Sequence, residues 1–445
     1  MIIQRPRGAI HRGLWMISYL TTNMRYPNEQ ERLLIAAGIT GYLLLLIITI
    51  IHRQPPLFDE PLFISNVLLL DQYGLSREFL LNIDNQAPGP LYQFVHYVLR
   101  PITHLQPPGI RLVNAFMLLM IIVLLAAIVR KTQAQRRIKR NVWLPALHIM
   151  AVPMIWQVSG MALTEVPSML FATLSIWLLQ LAPDYTRRQW WFGICLSLLA
   201  GICLGLAILG RSPFLMIVPA SLLLLLQTAR ERKRWVIISI YIGVALLCCI
   251  PVFVIWGGLT PPKQAVISEG GIVPWHGILA FAYGALIILI VAPAWFSYNR
   301  LILLVLVLLY IILLPVNYYW LHYTYAPLSE ALGKIVPAAI MQIYPYLISP
   351  LLLTLALYFL YCAFLQWMER RTEPFSLFIL LSLLLMLATS FKVTHLFSSR
   401  YVAQTAPLFI IMLAPYIRVS RAQLIRFAAG MIIGLLSLET YFLFR

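Results

Sequence analysis

The chain has 445 residues, 61% apolar and 11% charged, with 33 Lys and Arg against 15 Asp and Glu for a formal net charge of +18. A soluble domain of ordinary composition carries about 25% charged residues, so a mean hydropathy of +0.85 excludes both a water-facing globule and a disordered chain. The fold class is an all-α polytopic membrane protein, in which a basic excess orients the chain and is not a nucleic-acid footprint.

In chain order, a basic arm over residues 1–32 comes first, with Arg5, Arg7, Arg12, Arg25 and Arg32. It is long and polar, and no small-residue cleavage site follows the first apolar run, so it reads as an arm before an uncleaved span. A span needs about 20 mostly apolar residues. On that criterion about 13 transmembrane helices are expected, within a range of 11–13, at 33–51, 112–129, 142–160, 166–182, 191–209, 213–229, 235–255, 277–296, 301–321, 346–368, 375–391, 401–417 and 427–444. The basic clusters RKTQAQRRIKRN, Arg187–Arg188, RERKR, Arg300, Arg370–Arg371 and Arg418–Arg421–Arg426 fall on alternate loops, the same side as the N-terminal arm. The positive-inside rule makes that side cytoplasmic. The chain reads as a single transmembrane domain over 1–445 without a separate soluble domain, a monomer by default. Its five cysteines all lie in apolar runs and form no disulfide framework or metal motif. With no Asn-x-Ser/Thr sequon, the bacterial plasma membrane is the expected location, N-terminus in the cytoplasm, with the endoplasmic reticulum membrane as the alternative.

Acidic residues are scarce, and eight of the 15 fall on the outer side: Asp59, Glu60, Asp71, Glu78, Asp84, Glu165, Glu269 and Glu330. Five of these share the longest outer loop, residues 52–111. Deep ionisable residues are few, notably His148 and Glu439. A coupled transporter or flippase, the alternative class, would place carboxylates near the midplane and show internal repeats. A membrane acyltransferase would give a deep histidine such as His148 an acidic or Asn partner, and none lies near it in sequence.

The loop opens PPLFDEPLFISNVLLLDQYG, in which Asp59–Glu60–Pro61 marks a helix start and Leu62, Phe63, Val67, Leu68 and Leu70 suit a helix along the membrane interface. On these residues alone the acidic pair serves as a cap. Next comes NIDNQAPGPLYQFVHYVLRP, with Asp84 before a Pro/Gly turn and an aromatic stretch. Glu165 lies in ALTEVPSML, Arg211 in LGRSP, and Lys392, His395 and Arg400 in FKVTHLFSSRY, all at outer mouths. Each cation alone could snorkel to lipid headgroups. Together, carboxylates that deprotonate a hydroxyl or hold a divalent cation meet cations that hold a phosphate.

This arrangement resembles the GT-C superfamily of integral-membrane glycosyltransferases, which use polyprenyl-phosphate sugars. FDEPLFISNVLLL followed by NQAPGPLYQFVHYVL is similar to the family's long first outer loop, with its acidic pair and interface helices. TEVPSMLFATLSIWLL is similar to its second acidic position, and SSRYVAQTAPLFII to its late Arg-Tyr element. The resemblance extends to dolichyl-phosphate-mannose, dolichyl-phosphate-glucose and aminoarabinose transferases. It implies transfer of a monosaccharide, hexose or pentose, from a polyprenyl phosphate to an acceptor hydroxyl on a glycan, lipid or protein, with inversion. Residue by residue, it implies Asp59 as general base and Glu60 as a residue that positions the acceptor or helps hold a metal. Glu165 and Asp84 would be acidic partners, and Arg211, Lys392, His395 and Arg400 would hold the donor phosphate. No cofactor is required by this reading, and the one the carboxylates could take is a divalent cation such as Mg or Mn.

Overall fold

In a computed structural model, the described residues are 29–83, 89–136, 141–186, 189–265, 271–327, 329–333 and 336–443. Asp84, Glu269, Arg187, Arg188 and most of the basic N-terminal arm lie outside them. The described residues are helical and irregular, with no strand. A bilayer demands this outcome, because a helix satisfies its backbone polar groups within its own segment.

The first span, α1 (Glu29–Ile51), leads into an outer loop of short helices: α2 (Glu60–Tyr73), α3 (Arg77–Asn82) and α4 (Leu91–Val98). The remaining frame comprises α5 (Gly109–Gln135), α6 (Pro153–Gly160), α7 (Glu165–Thr186), α8 (Trp190–Gly210), α9 (Ile217–Gln227), α10 (Arg232–Trp256), α11 (Pro274–Val291), α12 (Arg300–Val316), α13 (Ala338–Glu369), α14 (Pro374–Ala388), α15 (Arg400–Ala403), α16 (Ala406–Leu413) and α17 (Arg421–Leu443). Helix α8 packs between α7 and α10, α11 packs on α13, and α17 closes against α1 and α6. By contrast α12 buries none of its residues and leaves its Leu and Ile side chains to lipid.

Ten helices among the described residues are long and apolar enough to span a membrane. The other three expected spans are present as broken or short apolar helices, and proline is the common cause. Within 142–160, Val152 is extended (φ −85°, ψ 108°) ahead of Pro153, which splits the run between a 3-10 turn and α6. A residue before proline is pushed out of the helical region. Segment 213–229 starts as a 3-10 turn, Ser212–Met216, containing Pro213. Segment 401–417 is divided into α15, α16 and a 3-10 turn at Ala414–Tyr416, with Pro407 and Pro415. Hydropathy does not register these breaks.

Glu439 also differs from expectation. It sits near the end of α17, where its carboxylate meets His52 Nε2 at 3.0 Å, joining the last span to the end of the first. His148 is buried, bonds the Leu144 carbonyl at 2.7 Å and lies edge-on to Phe427, with no carboxylate in contact.

Candidate functional site

Asp59 sits at the N-terminus of α2 with Pro61 in the first turn, as the sequence predicts, yet its side chain makes no capping bond. The capping role belongs to Glu60, whose Oε2 accepts from Leu57 N at 2.8 Å. Phe58, just before Asp59, has φ 52°, a conformation costly for a bulky side chain. It turns the chain so that Asp59 faces across the outer end of the bundle.

There Asp59 Oδ2 accepts from Arg400 Nη1 at 2.8 Å. Arg400 Nε lies 3.5 Å from Glu165 Oε1, and the same oxygen accepts from Arg211 Nη2 at 2.7 Å. Asp59, Glu165, Arg211 and Arg400 thus form one chain of alternating charge, drawn from four outer segments. Local breaks in the helices aim them: Arg211 is extended (φ −149°, ψ 113°) where α8 stops, and Arg400 opens the short α15. Burial disfavours charge on Arg400, but Glu165 and Asp59 more than offset it and raise its pKa.

Tyr401 continues the cluster, with its ring 5.9 Å below the Arg211 guanidinium and its hydroxyl 2.9 Å from His395 Nε2. Burial raises the Tyr401 pKa, with Arg211 and Arg400 acting the other way. The protein around His395, then His276 and Arg400, lower the imidazole's pKa. His395 therefore tends to the neutral form, unlike the cation expected from sequence. Lys392 is exposed and makes no hydrogen bond or ion pair with this cluster among the described residues. Asp71 and Glu78 face outward, Asp71 paired with Arg100.

Glu60 is committed elsewhere. Its two oxygens accept from Arg111 Nε at 2.9 Å and Nη2 at 2.7 Å, and Oε1 also accepts from Ala162 N at 2.8 Å. Both side chains are fully buried. A two-pronged guanidinium and backbone donors satisfy the carboxylate, leaving it to fix α2 against α5 and the segment before α7. Sequence reasoning missed Arg111, although a lone cation entering an apolar run signals a partner in the protein.

Gly89 anchors the second half of the loop: a Cβ there would fall 1.6 Å from the Leu209 carbonyl oxygen, so only glycine permits that approach to α8. This close packing seats α4, whose Tyr92 and His96 rings lie 4.1 Å apart and are buried. Several buried polar atoms flanking the cluster have no hydrogen-bond partner among the described residues: Tyr92 Oη, Thr164 Oγ1, Glu165 Oε2, Ser168 Oγ, Arg211 Nε and both amide atoms of Gln404. Buried polar atoms are normally bonded, and such a concentration marks a place built for a polar ligand or ordered solvent.

The donor set suits an anion better than a cation. Arg400 stands between the Asp59 and Glu165 carboxylates, Glu60 is consumed by Arg111, and no three metal-type side chains converge among the described residues.

Residues 88–256 match the profile of the family described as dolichyl-phosphate-mannose-protein mannosyltransferase. Over this segment, a little over a third of its length, the chain is similar to that family. The matched region contains Gly89, Arg111, Glu165 and Arg211, while Asp59 and Arg400 lie on either side of it. Solved structures similar to the chain include ArnT from Cupriavidus metallidurans bound to undecaprenyl phosphate, at 13% identity and TM-score 0.49, covering 89% of this chain and 62% of that one. AglB from Archaeoglobus fulgidus, an archaeal oligosaccharyltransferase in complex with an inhibitory peptide and a dolichol-phosphate, aligns at 13% identity and TM-score 0.45, covering 92% of this chain and 55% of that one. The chain thus spans less than two thirds of either structure's length. No curated protein matches.

Proposed function

We propose that the chain is a glycosyltransferase that moves a monosaccharide from a polyprenyl-phosphate donor to an acceptor hydroxyl at the outer membrane face, with inversion. The observation that carries this reading is the Asp59–Arg400–Glu165–Arg211 chain. It sets a carboxylate that is not a helix cap beside two arginines able to take a phosphate.

The donor phosphate binds Arg400 and Arg211 and competes with Asp59 for the Arg400 guanidinium. Freed from that pair, Asp59 accepts the proton of the acceptor hydroxyl as its oxygen attacks the anomeric carbon from the face opposite the phosphate. The anomeric carbon–oxygen bond breaks, and polyprenyl phosphate leaves as an anion held by the two arginines. Charge on the departing phosphate grows in the transition state, where fixed cations have their greatest effect. The leaving group needs no proton. Glu165 positions both arginines, and Tyr401 supports Arg211 from below. Glu60 acts by fixing α2. Lys392 and His395 belong to the loops around this centre. The end bearing the basic loops faces the cytoplasm, in a bacterial plasma membrane.

The test is transfer from a synthetic short-chain polyprenyl-phosphate sugar by purified full-length protein, with and without chelator. Asp59→Asn should lower kcat by about 10²–10⁴, the range of a lost general base. Wild-type turnover by a folded Asp59→Asn protein would remove Asp59 from this role.

A further inference from the structure

Two contiguous clefts lie at the opposite end of the bundle. Arg111 lies in the first turn of α5 and Arg136 just past its last, 25 residues apart, so a rise of about 1.5 Å per residue separates them by roughly 38 Å. Arg136 lines a cleft of about 460 Å³, between the ends of α5 and α13 and the start of α14. Its floor is apolar, including Trp295, Leu380, Ile411 and Met412, and its rim carries Arg136, Arg370, Ser376 and Tyr416. A second cleft of about 480 Å³ shares Thr132, Arg136, Ile411 and Pro415, and runs on along α5 past Val129.

Two guanidinium groups converge on one carboxylate oxygen at the rim. Glu373 Oε2 pairs with Arg136 Nη2 and also accepts from Arg370 Nη1 at 3.1 Å and from Ser376 Oγ at 2.8 Å. Arg370 Nη2 donates to Tyr416 Oη at 2.7 Å, and its Nε donates to Gln366 Oε1 at 3.0 Å. Hydroxyl and arginine donors therefore already hold an anionic oxygen here; Glu369, bonded to Gln366, is a second carboxylate nearby, and the cationic excess of this end comes from the arginines on the adjoining segments. Arg371 and Arg418 lie on the adjoining connections, and Arg421 opens α17. Both arginines are about four-fifths buried, so they are not freely solvated surface charges.

We propose that this cleft binds one anionic phospholipid from the leaflet at the basic end, its phosphate on Arg136 and Arg370 and an acyl chain in the contiguous apolar cleft. A cationic rim over an apolar floor matches the two halves of such a lipid, and a basic pocket between spans recognises its headgroup. The site is separate from the transfer centre and does not depend on that reading.

Native mass spectrometry of the detergent-purified full-length protein, titrated with phosphatidylglycerol or phosphatidylcholine of the same chains, tests this. Wild type should retain one phosphatidylglycerol selectively. Arg136→Gln/Arg370→Gln should weaken its binding by about fivefold per guanidinium, and Glu373→Gln should tighten it. The exposed Arg234→Gln should leave it unchanged. Unaltered binding in the double variant, weaker binding in Glu373→Gln, or equal retention of phosphatidylcholine would overturn the proposal. Displacement of the lipid by an equal concentration of inorganic phosphate would reassign the cleft to free phosphate. Should the double variant fail to fold, Glu373→Gln decides.

Discussion

Arg400 reaches Asp59 with one nitrogen and Glu165 with another, at 2.8 and 3.5 Å, and so joins the first outer loop to the start of α7 from a point 341 residues beyond Asp59. A guanidinium shared by two carboxylates carries less positive charge outward than a free one. An arriving phosphate therefore has to compete with Asp59, and that competition couples donor binding to exposure of the proposed base.

Arg400→Gln should accordingly lower kcat by about 10²–10³, the usual effect of removing one donor to a developing anion. The KM for the donor should rise with it. Arg400→Lys, which keeps the charge but not the two-nitrogen reach, should fall between that variant and wild type. Steady-state kinetics together with product inhibition by polyprenyl phosphate separate these effects, since inhibition should weaken as the phosphate contact is lost.

Tyr401 presents a ring to Arg211 and a hydroxyl to His395. Tyr401→Phe keeps the ring and should retain turnover within about threefold of wild type. Tyr401→Ala removes the face under a partly desolvated guanidinium, where such contacts contribute about 1–2 kcal/mol, and should lose roughly tenfold. Equal losses in both variants would shift the role to the hydroxyl.

The Glu60–Arg111 pair gives a stability prediction. Either single substitution, Glu60→Leu or Arg111→Met, strands a buried charge and should cost about 3–5 kcal/mol, whereas the double substitution should recover much of that loss. Thermal melting of the three detergent-solubilised variants measures the coupling. Additive losses would show that the two charges act independently.

Burial pushes the pKa of His96, on the loop helix α4, down to about 3. The folded protein holds this imidazole neutral, while the unfolded chain binds a proton below the ordinary value of about 6.5. Stability is thus fully present above that pH and falls as pH drops towards 3, by about 1.4 kcal/mol per unit. The melting temperature of wild type should decline through this window more steeply than that of His96→Leu. Parallel declines would assign acid sensitivity to other groups.

Much of the site is legible in the sequence because charge is so rare there. Asp59, Glu165, Arg211 and Arg400 stand out as ionisable residues at the outer mouths of apolar runs, and the structure brings all four into contact. What the sequence hides is the division of labour between neighbours. Nothing in FDEP says that Glu60 will be locked by Arg111 while Asp59 is left to face outward, because that depends on a partner 51 residues away. Tyr401 belongs to an Arg-Tyr element that the sequence marks, but its place against Arg211, like that of Gln404, is set only when the 400–405 segment packs beside α6 and α11. The spans show a matching limit: apolar content locates them, but prolines at 153, 213 and 407 decide which remain unbroken, and those breaks aim Arg211 and Arg400.

The buried Glu60–Arg111 clamp also governs which side of the site can move. Shifting α2 away from α5 would strand two opposite charges in apolar surroundings, at a cost of several kcal/mol. Asp59 therefore rides on the fixed jaw. Any opening that admits a sugar then falls to the other jaw, the short turns and four-residue helix carrying His395, Arg400 and Tyr401, which the Arg400 guanidinium, the Tyr401 ring against Arg211 and the His276–Val393 carbonyl bond tie to the rest of the site.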